Sequence, residues 1–212
     1  MKRLSIIHLF SAFLFLTAFF LSLPETQARA AGSPRELIQE TVDAVMDVLK
    51  DREICHDDRR ARISTLIVRR FDFGEMSRRV LGVNWKKATP EQKTEFTKIF
   101  ARLIEASYIG KIDNYTDEKV IFEKELIKRN YARVFTTIRT GTKDIPVTYS
   151  LIFKKGTWWV YDVKVENVSL VSTYRSNYNQ IIRNNGFDHL LQDMKAKLAE
   201  LEAGNGQRQG KG

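Results

Sequence analysis

The hydrophobic period changes twice along this chain, and that change restricts its fold more than any other feature. Up to about Tyr108 the apolar residues recur at helical spacing, from about Asp117 to Glu166 they alternate, and from Ser169 helical spacing returns. Helices first, a sheet next and helices last specify an α+β domain with its helices gathered on one face of an antiparallel sheet. The leading helices carry their own start signals. Ser33-Pro34-Arg35-Glu36 reads as a capping box opening a helix whose inward face is Leu37, Thr41, Val45 and Val48/Leu49. A second helix is expected over Asp58 to Arg70. Asp72-Phe73-Gly74-Glu75 opens a third, with Gly82 suited to its C-terminal cap. Thr89-Pro90-Glu91-Gln92 opens the longest, striped by Phe96, Ile99, Phe100, Leu103, Ile104 and Tyr108.

The alternating segment divides at short turns, Arg129-Asn130, Gly141-Thr142 and Gly156, into a meander of about four antiparallel strands. In the second strand Ala132, Val134, Thr136 and Ile138 oppose Tyr131, Arg133, Phe135 and Thr137. In the third, Val147, Tyr149, Leu151 and Phe153 share a face. The fourth is unusual: "WWVYDVKV" carries bulk on both sides, Trp158 and Val160 against Trp159, Tyr161 and Val163. An antiparallel sheet needs only one apolar face. The next helix repeats the excess at Leu170, Tyr174 and Tyr178, one turn apart. So much apolar surface makes either an ordinary core or a core with a hole in it. A last helix is expected from Phe187 to about Leu201, and the Gly- and Gln-rich residues 204–212 read as a disordered tail.

The first thirty residues read differently. Lys2 and Arg3 precede an apolar run from Ile6 to Leu23, and Ala28-Arg29-Ala30 offers a small-x-small cleavage site, so residues 1–30 are expected to be a cleaved secretory signal and 31–203 the folded domain. Export changes how the charge is read. The chain holds 35 Lys+Arg against 26 Asp+Glu, net +9, and without Lys2, Arg3, Arg29 and Glu25 the balance is +7. In the cytosol that would suggest nucleic acid. Outside it, no nucleic-acid partner is expected, and the anions to meet are phospholipid head groups, membrane surfaces or an acidic protein. The single cysteine, Cys55, excludes an intrachain disulfide. Cys55-His56-Asp57 lacks the further ligands a zinc site needs, and a thiol at a helix end is the better reading.

Catalytic signatures are absent. There is no Gly-rich phosphate loop after a strand, no Gly-x-Ser-x-Gly elbow and no His-Glu-x-x-His helix. Asp162, on a largely apolar strand, is the one candidate general base; its alternative is an ion pair, most simply with Arg175.

Two long strings resemble the Mla-type periplasmic phospholipid-binding family, also called toluene-tolerance proteins. "FDFGEMSRRVLGVNWKKATPEQKTEFTKIFARLIEASYIGKI" is similar to its first half, through Asp72, Leu81-Gly82, Trp85, Thr89, Phe96, Phe100 and Tyr108. "WVYDVKVENVSLVSTYRSNYNQIIRNNG" is similar to its second, through Trp158, Tyr161-Asp162-Val163, Val168-Ser169-Leu170, Tyr174-Arg175, Ile181-Ile182 and Gly186. Asn167 departs from the pattern, which usually has glycine there. The resemblance implies a single α+β domain in which a curved sheet and helices enclose an apolar pocket. It also implies a periplasmic, non-enzymatic carrier of phospholipid between outer and inner membranes, with no cofactor or metal. The implied partners are an inner-membrane lipid ABC-transporter complex and an outer-membrane lipoprotein–porin complex. A carrier of another lipid, such as a hopanoid, and an enzyme using Asp162 are the alternatives. Strand and helix phase, read with the resemblance, place Phe96, Phe100, Leu103, Tyr108, Val134, Tyr149, Leu151, Tyr161, Val163, Leu170, Val171, Tyr174 and Tyr178 on the pocket wall. Arg78, Arg79 or Arg175 is expected to meet phosphate at its mouth.

Overall fold

The computed structural model describes residues 32–112 and 118–209. The expected signal segment and residues 210–212 lie outside the described residues. Among the described residues five helices come first: α1 (Pro34–Lys50), α2 (His56–Val68), α3 (Phe73–Leu81), α4 (Val83–Lys87) and α5 (Pro90–Ile112). The strands β1 (Lys119–Lys128), β2 (Tyr131–Arg139), β3 (Asp144–Lys154), β4 (Thr157–Val165) and β5 (Val168–Ser169) follow, then α6 (Leu170–Asn185) and α7 (Phe187–Gln209). The α+β reading holds, with a short fifth strand added to the expected meander.

Helix starts fall where side chains can satisfy the free N–H groups of a first turn. Ser33 and Glu36 exchange both bonds of a capping box, as do Thr89 and Gln92. The Asp72 carboxylate accepts the Glu75 N–H at 2.9 Å. Gly82 ends α3 at φ +57°, a conformation that strains a residue with a Cβ. Cys55 is the exposed N-cap of α2, making no side-chain capping bond. α7 runs to Gln209, past the end expected near Leu201 and into the stretch expected to be disordered. Glu202 is held there by Arg102 of α5 at 2.5 Å, and extending an existing helix over Gly204 costs far less than starting one.

The sheet is an antiparallel meander in the order β1-β2-β3-β4-β5. Its buried inner face carries Ala132, Val134, Ile145, Val147, Leu151, Trp158, Val160 and Val163, and α1 packs on it through Ile38. The apolar bulk on both sides of β4 has a local cause. Ser150 pairs with Asp162 but Leu151 pairs with Val160, so Tyr161 is an extra, bulged residue. Strand parity flips there: Val160 and Val163, three apart, share the inner face, while Tyr161 turns to the helices. The expectation that Val163 lies with Tyr161 is corrected by this bulge. A second core, among α3, α5, α6 and α7, is built on Met76, Leu81, Phe96, Phe100, Tyr178, Leu190 and Met194.

Candidate functional site

Between the inner sheet face and the α1–α2 pair lies a cavity of about 520 Å³. The sheet supplies Val120, Ile138, Ile145, Val147, Val160, Val163 and Val165, and α1 supplies Ile38, Val42, Val45, Met46 and Leu49. Ile104 and Tyr108 of α5 and Leu170, the first residue of α6, close it further. The reason for a hollow here is side-chain length. At the other end of the same face Trp158 and Phe153 pack ring to ring at 5.1 Å over Leu151 and Val134, and that end is filled. Valine and isoleucine suit the pleat but are too short to reach a helix layer about 10 Å away.

Few polar groups face this space. The Tyr149 hydroxyl bonds Thr136, and burial pushes the phenol above its usual pKa. The Glu105 carboxylate accepts a bond from the Ser64 hydroxyl. Glu166 lies 3.6 Å from Lys143. Glu118, just before β1, also lines the space, and Thr41 and Arg70 stand on the α1 side, where Arg70 Nε donates to Thr41 Oγ1 at 3.1 Å. Arg70 is fixed through its backbone. Its carbonyl accepts the Val160 N–H, and the Val160 carbonyl accepts the Asp72 N–H, both at 2.9 Å, so the α2–α3 linker lies along β4 as a one-bridge parallel strand.

Of the residues expected on a pocket wall, Tyr108, Tyr149, Val163 and Leu170 line this cavity. Phe96, Phe100, Leu103, Val171, Tyr174 and Tyr178 instead sit in or against the helical core. There Phe100 meets Tyr174 edge-on at 5.2 Å and Phe96 meets Tyr178 at 5.9 Å. Burial pushes the Tyr174 phenol up to about 12, beside Ser107 and Tyr108, and raises Tyr178 as well. Val134 and Leu151 are fully buried at the filled end of the sheet, and Tyr161 lies under Arg79 at 3.9 Å. The arginines proposed for the mouth are engaged elsewhere. Arg78 and Arg79 both bond the Glu75 carboxylate, and Arg175 Nε donates to the Arg79 carbonyl at 2.8 Å. The α1–α2 wall and Arg70 were missed because an amphipathic helix facing a cavity has the same periodicity as one facing a core.

Asp162 does not pair with Arg175. One carboxylate oxygen accepts the Ser169 hydroxyl at 2.7 Å and the other accepts the Val171 N–H at 3.1 Å. The tight β4–β5 turn brings this acid under the first turn of α6, where free N–H groups and the helix dipole favour an anion. It is a cap buried by its own helix, not a base facing the cavity.

The family model described as MlaC protein matches residues 39–196. The chain belongs to the MlaC family. Among curated relatives, the intermembrane phospholipid transport system binding protein MlaC of Haemophilus influenzae is 29% identical over 128 residues. That match takes in 58% of this chain, and the chain spans 60% of the relative's length. Among solved structures, the phospholipid-binding protein from Ralstonia solanacearum, in complex with a phospholipid, superposes with a TM-score of 0.73 at 22% identity, covering 81% of this chain and 99% of that one. It shares the fold.

The MlaC segment contains every wall residue of the cavity except Ile38. Asn167, the departure from the MlaC-type pattern, has φ +66° beside Glu166 at +50°, a left-handed pair in which asparagine is the usual substitute for glycine. A second depression, between α5 and α7, is an open groove walled by Glu91, Glu95, Lys98, Arg102, Lys195 and Glu202. Its charges pair across it, Lys195 with Glu95 and Arg102 with Glu202, both at 2.5 Å. That suits helix pairing rather than an apolar ligand.

Proposed function

We propose that this MlaC-family chain is a periplasmic phospholipid carrier. It holds acyl chains between the sheet and the α1–α2 pair and leaves the head group at the polar rim. The observation that carries this reading is the cavity itself: about 520 Å³, walled mainly by valine, isoleucine and leucine, within the segment that matches the family. Moving an acyl chain of about fifteen methylenes from water into such a space is favourable by about 12 kcal/mol. A carrier therefore needs a dry slot and no chemistry, and the reading assigns it none. The names of its relatives support phospholipid as the cargo.

In this reading the expected signal at residues 1–30 delivers the chain to the periplasm. Among the described residues no helix is long and apolar enough to cross a membrane. The carrier moves lipid between an inner-membrane lipid ABC-transporter complex and an outer-membrane lipoprotein–porin complex. The test is native mass spectrometry of protein purified without detergent from cells expressing the full chain, followed by extraction and lipid identification. A one-to-one phospholipid adduct is expected. Protein that stays bare after incubation with phospholipid vesicles would overturn the reading.

A further inference from the structure

Among the described residues Arg70 is the arginine that borders the cavity. Arg78 and Arg79 share the buried Glu75 carboxylate, and Arg139 makes a two-bond clamp with Asp144 at 3.0 and 3.1 Å. Arg70 spends only Nε, on Thr41 Oγ1. A carboxylate neighbour, Glu40, lies 3.9 Å from Nη2, beyond hydrogen-bond reach, and is itself 72% exposed. Among the described residues the terminal guanidinium nitrogens donate no hydrogen bond. Yet this side chain is 27% exposed and forms part of the wall of an otherwise apolar cavity. A guanidinium that keeps its outer fork free at the border of a dry slot is matched by an oxyanion with two adjacent oxygens.

We propose that Arg70 reads the phosphate of the cargo, donating its terminal N–H groups to the non-bridging oxygens of a lipid phosphodiester whose acyl chains fill the cavity. The inference rests on the carrier reading above and adds a selection rule to it. The backbone bonds to Val160 hold the stem of Arg70 in place and Thr41 holds Nε, so the fork is oriented before lipid arrives. Glu40 competes weakly for the same fork. The consequence is discrimination by the presence of phosphate, not by the alcohol beyond it.

The test is lipid exchange read by native mass spectrometry. Protein from cells expressing the full chain is incubated with vesicles holding equal amounts of phosphatidylglycerol and diacylglycerol with the same acyl chains. The unmodified chain is expected to enrich phosphatidylglycerol by about tenfold or more, the scale of a charge-assisted bidentate pair. Arg70→Gln is expected to bring the ratio towards parity while total bound lipid persists. Arg70→Lys should fall between, because an ammonium keeps the charge and loses the fork. Glu40→Gln, an exposed change that leaves the fold intact, should raise the enrichment about twofold. A folded Arg70→Gln protein with undiminished enrichment overturns the proposal. If that variant does not fold, an unchanged ratio in Glu40→Gln overturns it instead. Inorganic phosphate alone should not raise the melting temperature. A rise that is lost in Arg70→Gln would give the site to free phosphate and overturn the lipid assignment. Should the unmodified chain carry neither lipid, the carrier reading itself falls, whereas retained lipid without selection removes only the role of Arg70.

Discussion

The helical half and the sheet half of this molecule use equally apolar material to opposite ends. Among α3, α5, α6 and α7 the rings of Phe96, Phe100, Tyr174 and Tyr178 meet at 5.2 to 6.3 Å and fill the space between helices. Between the sheet and α1–α2, valine and isoleucine stop short of one another and leave about 520 Å³. The difference lies in reach rather than hydrophobicity. In the filled half ring packs on ring and closes the gap between elements, whereas the cavity wall is mainly β-branched. The filled half can hold the shape of the domain, which lets the other half stay hollow for a guest.

The largest effect that would sharpen this contrast is expected at Phe100. Phe100→Ala removes a fully buried ring from the filled half and should cost about 3–5 kcal/mol of stability, measured by urea unfolding. Lipid bound per folded molecule should not change. If occupancy falls instead while the unfolding midpoint stays put, the aromatic stripe is part of the cargo wall and the division between halves is wrong.

Next comes the hollow half. Val147 faces the cavity from β3, and Val147→Trp places an indole where space already exists. Because the ring enters a void, the stability of lipid-free protein should change by less than about 1–2 kcal/mol, below the usual cost of crowding a packed core. Bound lipid should be lost, as read by native mass spectrometry. Retained lipid would place the acyl chains elsewhere.

The same contrast explains what could be read in the sequence. Element types follow from local physics: the capping boxes at Ser33 and Thr89, the glycine at Gly82 and the alternation of Ala132 to Ile138 each specify backbone state within a few residues. The cavity does not follow in this way. An inward apolar residue looks the same in sequence whether it meets a partner or a void, so the aromatic stripe drew the expectation towards Phe96 and Tyr178. The wall built by Val42, Val45 and Met46 passed as ordinary helix core. The bulge at Tyr161 was hidden for a different reason. It is a property of pairing between β3 and β4, and strand phase read from β4 alone places Val163 on the wrong face.

The smallest expected effect concerns the joint between the halves, which is ionic. Asp72 begins α3 and binds Lys154 of β3 at 2.6 Å. Glu75, one turn on, holds Arg78 and Arg79, and Arg79 lies over Tyr161 of β4. Burial pushes both carboxyls up, but Lys154 and the Asp72 capping bonds outweigh it for Asp72, and the two guanidiniums outweigh it for Glu75. Both are therefore held below the usual carboxylate range. A carboxyl depressed on folding stabilises the folded state fully above its unfolded value, about 4, and that contribution is lost as pH falls through the lower folded value. The melting temperature, followed by calorimetry, should accordingly hold between about pH 5 and 7 and drop below about 4. Glu75→Gln should lower the plateau and shrink the drop by a few degrees, since its share of the acid sensitivity is gone. An equal drop in Glu75→Gln and the unmodified chain would mean that acid loosens some other part of the molecule. The joint would then be held by the Val160 backbone bonds and by packing, with the charges at its surface contributing little.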